Sequence, residues 1–405
     1  MRKYWLYIEP YVYIDILNDK SQAMLYNTLN KKHFVVSDKE TFMLVETLCL
    51  EQNLRVIQIS QEQNQLPLIK WLRNTYSGDV INVENSAKRP VQFVPELKIK
   101  NNIKTTNIVT PYQSIYELSL YLTGKCSSNC IFCNNYYKQF LYCRANIKKE
   151  LSLEGIKNFF CQLNNETILQ INFLGGELLS YSYLNSLLLF FANHKSIKNF
   201  IFNIRQIRTI HDFDIFEHYK NNLKITILIN TFDKNYIYTL NSVINHLESI
   251  GIRCEVLFVI ENEKEYSLIK NLHLKQNDKI FPFYNSQDNA FYRNNVFMRE
   301  QDILNSDNKF IDILRNKTIN KNFYGKLIID TDGSIYTSFN TEKIGVMTDD
   351  INIILQQLVS KNSLYNLTRM KVYPCSGCIY RSLCPPISNF ELFTKKNDLC
   401  FIQSD

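Results

Sequence analysis

Eleven cysteines stand in this chain of 405 residues, and their placement carries more information than their number. Cys126, Cys130 and Cys133 fall in one turn-rich stretch, while Cys375, Cys378, Cys384 and Cys400 gather near the carboxyl end. The other four, Cys49, Cys143, Cys161 and Cys254, are scattered and read as small buried hydrophobes. Cys143 is close enough in sequence to the first group to lie beside it. An odd cysteine count with no secretion signal argues against a disulfide framework and turns attention to metal or redox chemistry.

The first group has the spacing C-x3-C-x2-C. Three thiolates on a short loop can hold three irons of a [4Fe–4S] cube, whose usual complement is four cysteines. With no fourth cysteine at a standard spacing, one iron is left open to an outside ligand, the same logic that separates catalytic from structural zinc. Zinc on three cysteines and a histidine is the alternative, but none of the six histidines falls near the loop. The second group, C-x2-C-x5-C followed by a distant cysteine, offers four thiolates. They can saturate either a tetrahedral zinc or a whole cube, and the spacing leaves both open.

The elements that must position these groups follow from periodicity. Near the start, β-type runs at Tyr11 to Leu17, Ala23 to Thr28 and His33 to Val36 are separated by polar turns. Ser37-Asp38-Lys39-Glu40 matches a capping box, and the helix it opens places Phe42, Met43, Val45 and Leu48 on one face. A strand at Val56 to Ile59, a helix from Pro67 to about Thr75 and a strand at Val80 to Val83 complete a unit spanning 1–95. A polar linker, 96–112, follows. From Ile115 apolar strands alternate with amphipathic helices, which implies a parallel sheet with right-handed crossovers. About six such units are too few for a closed eight-stranded barrel, so 113–320 is expected to form an open one. The strands are Ile115 to Leu122, Ile168 to Leu174, Phe200 to Ile204, Ile225 to Ile229 and Cys254 to Ile260. The tail, 321–405, begins with a hairpin turning at Asp332-Gly333 and continues with a helix from Asn352 to Ser360.

Composition narrows the class further. Apolar residues are 45% and charged residues 21%, which excludes a mostly disordered chain. No apolar run reaches the ~18–20 residues of a membrane span, and Glu9, Pro10 and Asp15 interrupt any signal-peptide core. The expectation is a cytoplasmic protein with no membrane partner. A net charge of +7 spread along the chain offers no basic stripe for nucleic acid.

The cysteine loop after a strand, with Phe132 just before its last cysteine, resembles that of the radical S-adenosylmethionine (SAM) enzymes. The next strand ends Phe173-Leu174-Gly175-Gly176-Glu177, where that family carries Gly-Gly-Glu. Leu178 stands where the family usually has proline. Glycines there let backbone approach a ligand closely, and the carboxylate can accept hydrogen bonds from the SAM ammonium group. The resemblance implies a partial (β/α)6 barrel whose open iron is chelated by SAM, cleaved reductively to a 5′-deoxyadenosyl radical that abstracts substrate hydrogen. By position only, Asn203, Arg205, Asn230 and Thr231 are candidates for the ribose-binding stretch.

The tail resembles the SPASM extension of peptide-modifying members. Ser338 and Ser388 replace two cysteines of the full pattern, so one auxiliary [4Fe–4S] cluster is implied, on Cys375, Cys378, Cys384 and Cys400. The first unit, through the segment Ala23 to Ser37, resembles the winged-helix element that recognises leaders of ribosomally made peptides by strand addition. Together these imply an α/β peptide maturase acting on a ribosomally made precursor, fed by an electron donor such as flavodoxin or ferredoxin, and forming a cross-link. A non-catalytic leader-binding scaffold, a protein-modifying enzyme and an epimerase using Cys143, Cys161 or Cys254 as hydrogen donor are the alternatives.

Overall fold

The first unit folds around two small antiparallel sheets. Its strands are β1 (Lys3–Ile8), β2 (Val12–Ile16), β3 (Ala23–Asn27), β4 (His33–Val36), β5 (Val56–Ser60) and β6 (Gly78–Asn82). One sheet has the order β5-β1-β6 and the other β2-β3-β4. These elements come from a computed structural model describing residues 2–402 except 85–87, 98–114, 129, 132, 146–148, 164–165, 271–275, 287–288 and 361–362. Most of the expected linker, and Phe132, therefore lie outside the described residues.

The central strand of the first sheet, β1, was not among the expected elements, although its Tyr-Trp-Leu-Tyr-Ile run favours a strand. Helix Lys39–Leu48 is capped one residue later than the expected capping box. Asp38 Oδ1 accepts from the Thr41 amide at 2.9 Å, and Ser37 takes no part. Asp caps a helix as well as Ser does, so register rather than residue type decided the start. Met43 is 56% exposed; Thr41 and Leu44 turn to the core with Phe42, Val45 and Leu48.

Six parallel strands follow in chain order: β7 (Glu117–Tyr121), β8 (Gln170–Leu174), β9 (Ile197–Asn203), β10 (Leu223–Ile229), β11 (Arg253–Ile260) and β12 (Lys279–Pro282). The sheet continues beyond β7 through β13 (Lys326–Ile329), β14 (Ser334–Tyr336) and β15 (Gly345–Val346). Strand β13 lies parallel to β7, and the expected hairpin joins β13 to β14. Among the described residues the sheet does not close on itself, β12 and β15 being its two edges. This is the open arrangement expected, with β12 and helix Glu263–Lys270 added to the strands and helices read from sequence.

Alternation along each strand sorts the two faces. Leu118 and Leu120, Ile171 and Phe173, and Ile225 and Ile227 face the helices in one large apolar core. The opposite face turns inward and is polar near the amino ends. Asn172 donates to Glu117 at 3.0 Å and to Ser119 at 3.2 Å, Asn199 donates to Asn172 at 2.9 Å, and Thr226 donates to Asn199 at 2.8 Å. Lys326–Glu117 at 3.1 Å and Lys224–Glu255–Lys279 at 2.7 and 3.0 Å extend this girdle across the strands. A one-residue slip in any strand would bury its outer apolar face inward and break the chain of donors.

On the helix side, Phe173 is fully buried and stacks on Phe200 with ring centroids 4.6 Å apart. Phe173→Ala should destabilise the chain by about 3–5 kcal/mol, seen as a lower urea midpoint at unchanged far-ultraviolet circular dichroism in the absence of denaturant.

Candidate active site

The cysteine loop leaves the carboxyl end of β7 and runs into helix Cys133–Gln139. Directly beside it, β8 ends and Gly175-Gly176-Glu177 begins. The two segments are joined backbone to backbone: the Gly176 amide donates to the Thr123 carbonyl and the Glu177 amide to the Lys125 carbonyl, both at 2.6 Å. A Cβ on Gly176 would stand 2.0 Å from the Lys125 oxygen, and one on Gly175, whose φ is +150°, 2.4 Å from the Thr123 oxygen. Both glycines are therefore required by the cysteine loop itself. The close approach that the glycines allow is made here toward the backbone of Thr123 and Lys125.

Glu177 completes the clasp. Its Oε1 accepts from the Ser127 amide at 2.9 Å and from the Ser127 hydroxyl. These hydrogen bonds, aided by the Arg208 guanidinium 3.5 Å from Oε2, hold its carboxyl below the usual range. Ser127 and Arg208 were not singled out from sequence.

The positional candidates converge on the same rim. Asn203 is fully buried at the end of β9; its Nδ2 donates to the Tyr142 hydroxyl at 2.7 Å and to Asn230 Oδ1 at 3.3 Å, and its Oδ1 accepts from the Arg205 amide at 3.0 Å. Gln206 donates to Cys126 Sγ at 3.7 Å. Burial raises the Cys130 thiol, opposed first by the Arg205 cation and also by a hydrogen bond with Asn230. Cys143 is fully buried beside the three loop cysteines, and burial, followed by their proximity, pushes its thiol well up. Segment 142–144 is pinned under the rim: the Arg144 amide donates to the Gly175 carbonyl at 3.1 Å, and its guanidinium pairs with Asp330 of the hairpin.

Among the described residues, no three Cys, His, Asp or Glu side chains stand in metal-holding geometry. What fits a cluster is the donor chemistry: three thiols carried on one loop, the Arg205 cation acting on Cys130, and backbone amides and carbonyls that fix the loop's base.

The tail cysteines meet elsewhere. Cys375, Cys378, Cys384 and Cys400 line one cavity of about 20 Å³ together with Arg369 and Arg381. Arg369 Nη1 donates to Cys375 Sγ at 3.3 Å and its other branch pairs with the buried Glu391 at 2.8 Å. Four thiols and two guanidiniums suit a negatively charged metal–thiolate centre. The four thiols share this cavity without standing in ligating geometry, so a bound ion or cluster would have to draw them together. Ser338 and Ser388 lie close together, since Ser338 Oγ donates to Asn389 Oδ1 at 2.6 Å.

Gly176→Ala should unfasten the loop. Hydrogen exchange at the Gly176 and Glu177 amides should rise at least about tenfold, while amides of β10 keep the parent rates; unchanged exchange at both amides would count against the clasp.

No protein-family model and no curated protein matches the chain. Among solved structures, SuiB of Streptococcus suis aligns over 98% of this chain and 100% of its own, at 13% identity and a TM-score of 0.50. SuiB bound to its precursor peptide SuiA aligns over 98% of each chain at 13% identity, with a TM-score of 0.47. The protein anSMEcpe with bound AdoMet aligns over 69% of this chain and 92% of its own, at 13% identity and a TM-score of 0.46. At that identity the likeness speaks for architecture alone: along nearly its whole length, this chain has the fold of SuiB.

Proposed function

We propose that this chain is a radical SAM enzyme that modifies a ribosomally made precursor peptide. The observation that carries the reading is the joining of the three-cysteine loop to Gly175-Gly176-Glu177 at the carboxyl ends of adjacent parallel strands, where α/β barrels place their chemistry. In this reading Cys126, Cys130 and Cys133 would hold a [4Fe–4S] cluster with one iron left for SAM. Bound there and given one electron by an outside reductant, that pair would supply, with release of methionine, a primary carbon radical able to take a hydrogen atom from a peptide. The chain's own part is positioning. Gly176 and Glu177 fix the loop, the Glu177 Oε2 side faces Arg208 and a small cleft with Gln206 and Asp212, and Asn203, Arg205 and Asn230 present polar groups on the neighbouring strand ends. The fully buried Tyr121 and Tyr142 pack with Tyr136, Phe140 and Phe283 beneath the rim, above a cavity of about 520 Å³ whose polar lining includes Glu117, Asn199 and Lys224.

The peptide's leader is assigned to the first unit, by strand addition. One edge of its second sheet is taken: the outward carbonyls of Val12 and Ile16 on β2 accept from Arg55 Nη1 at 2.6 Å and Arg381 Nη2 at 3.0 Å. The remaining edge is β4, the least buried of the three strands. A cross-link is favoured over epimerisation by where the thiols lie. Cys143 is closed off, Cys161 ends helix Leu153–Cys161 on the outer ring, and Cys254 sits near the amino end of β11. Cys375, Cys378, Cys384 and Cys400 would hold one auxiliary cluster, serving electron transfer from a donor such as flavodoxin or ferredoxin.

Oxygen-free protein with a reductant and SAM should release 5′-deoxyadenosine, and the combined Cys126→Ala, Cys130→Ala and Cys133→Ala variant should not. A parent protein that binds a cluster yet never cleaves SAM in the presence of the co-expressed peptide overturns the enzyme reading in favour of a scaffold. Iron and sulfide should approach about eight of each per chain; about four irons with one zinc would replace the auxiliary cluster by a structural ion.

A further inference from the structure

The second sheet of the first unit is apolar on both faces. Val12, Ile14, Ala23, Leu25 and Val36 join that unit's own core. From the other face Tyr13, Leu17, Met24 and Tyr26 pack with Ile303, Leu304 and Ile313 and with Ile379, Tyr380 and Leu383 of the tail. Through this shared core runs one polar chain. Tyr13 OH donates to Ser382 Oγ at 2.8 Å, and Ser382 Oγ donates to Asp15 Oδ2 at 2.8 Å. Arg381 Nε and Nη2 reach the same carboxylate at 3.3 and 3.5 Å, with both side chains under 5% exposed.

Arg381 and Ser382 lie between Cys378 and Cys384, and Arg381 also lines the cavity those cysteines face. Its other contacts tie the cysteine loop to itself and to the first unit, since Nη1 donates to the Ser376 carbonyl at 2.5 Å and Nη2 to the Ile16 carbonyl of β2 at 3.0 Å. The conformation of the loop that carries Cys375, Cys378 and Cys384 is thus set in part by a carboxylate more than three hundred residues away. Lys317 Nζ also stands 3.9 Å from Asp15 Oδ1, so removing the carboxylate charge leaves both cations without their shared counter-ion.

We propose that Asp15 is a positioning residue of the tail metal centre, so that the first unit forms the outer shell of that centre and the site is complete only with the unit docked. This rests on the reading that the tail cysteines bind a metal. Docking and metal retention then become linked: whatever shifts β2 is felt at the tail cysteines.

The test uses the full chain with Cys126, Cys130 and Cys133 replaced by Ala, so that only the tail can hold metal. Each protein is loaded with zinc, and separately with iron and sulfide, and release to EDTA is followed with time. Adding Asp15→Asn should speed release about ten- to hundredfold, as outer-shell changes at metal sites do, and Asp15→Glu should restore part of the retention. Asn27→Ala is the control. Asn27 is buried within the first unit and donates to the Thr75 carbonyl and Ser77 Oγ at 2.9 Å, away from the tail; it should release metal at the parent rate. Parent-like release from Asp15→Asn overturns the inference, as does equal acceleration by Asn27→Ala, which would mean general loosening. Absence of metal from the starting protein overturns the tail-metal reading itself.

Discussion

The site depends on a backbone-to-backbone contact that side chains cannot make. Where β7 and β8 end, the chain between Thr123 and Lys125 lies so close to Gly175 and Gly176 that any Cβ would collide with a carbonyl oxygen. Two short amide–carbonyl bonds replace the side-chain packing that would otherwise separate the segments. Everything functional at the rim is referenced to this seam. Cys126 follows it directly, Ser127 is caught by Glu177, and the Arg144 amide takes the Gly175 carbonyl from the other side.

The rest of the barrel keeps that seam in register. Its outer face is ordinary apolar packing, which tolerates exchange among hydrophobes of similar size. The inner face does not. Asn172 and Asn199 are buried and pass hydrogen bonds across four neighbouring strands, and a network of that kind is satisfied in one register only. The cost of burying amides fixes the strand heights, and with them the level at which the cysteine loop and the glycines meet.

What could be read from sequence and what could not divide along the range of the interactions. Placement that follows from local spacing was legible: the tail cysteines do gather at one cavity, Gly175-Gly176-Glu177 does end a strand beside the cysteine loop, and most strands and helices have about the expected bounds. Asn203, Arg205 and Asn230, picked by position after strands, do come together beside Cys130 because parallel strands in chain order end at one rim. Local competition defeated the reading where two residues could play one part, as Ser37 and Asp38 did for the helix cap. Strand β1 was missed because its residues were weighed only as a signal segment, and β12 because Lys279–Pro282 is short and only partly buried. That backbone must come close at the glycines was legible, but not that the cysteine loop itself is what they approach. Contacts such as Tyr13 with Ser382 have no local signature at all.

The double-sided β2-β3-β4 sheet bears on how the chain can be divided. Residues 2–97 look separable by element count, with their own core and their own helices. Yet a fragment cut at that point would carry Tyr13, Met24 and Tyr26 into water, each wholly buried in the intact chain, and would leave the Asp15 carboxylate beside them without its guanidinium. Sticky surface of that kind drives self-association. The unit is better regarded as one half of a cut core than as a portable module, and grafting it onto another protein would call for repainting that face with polar side chains first.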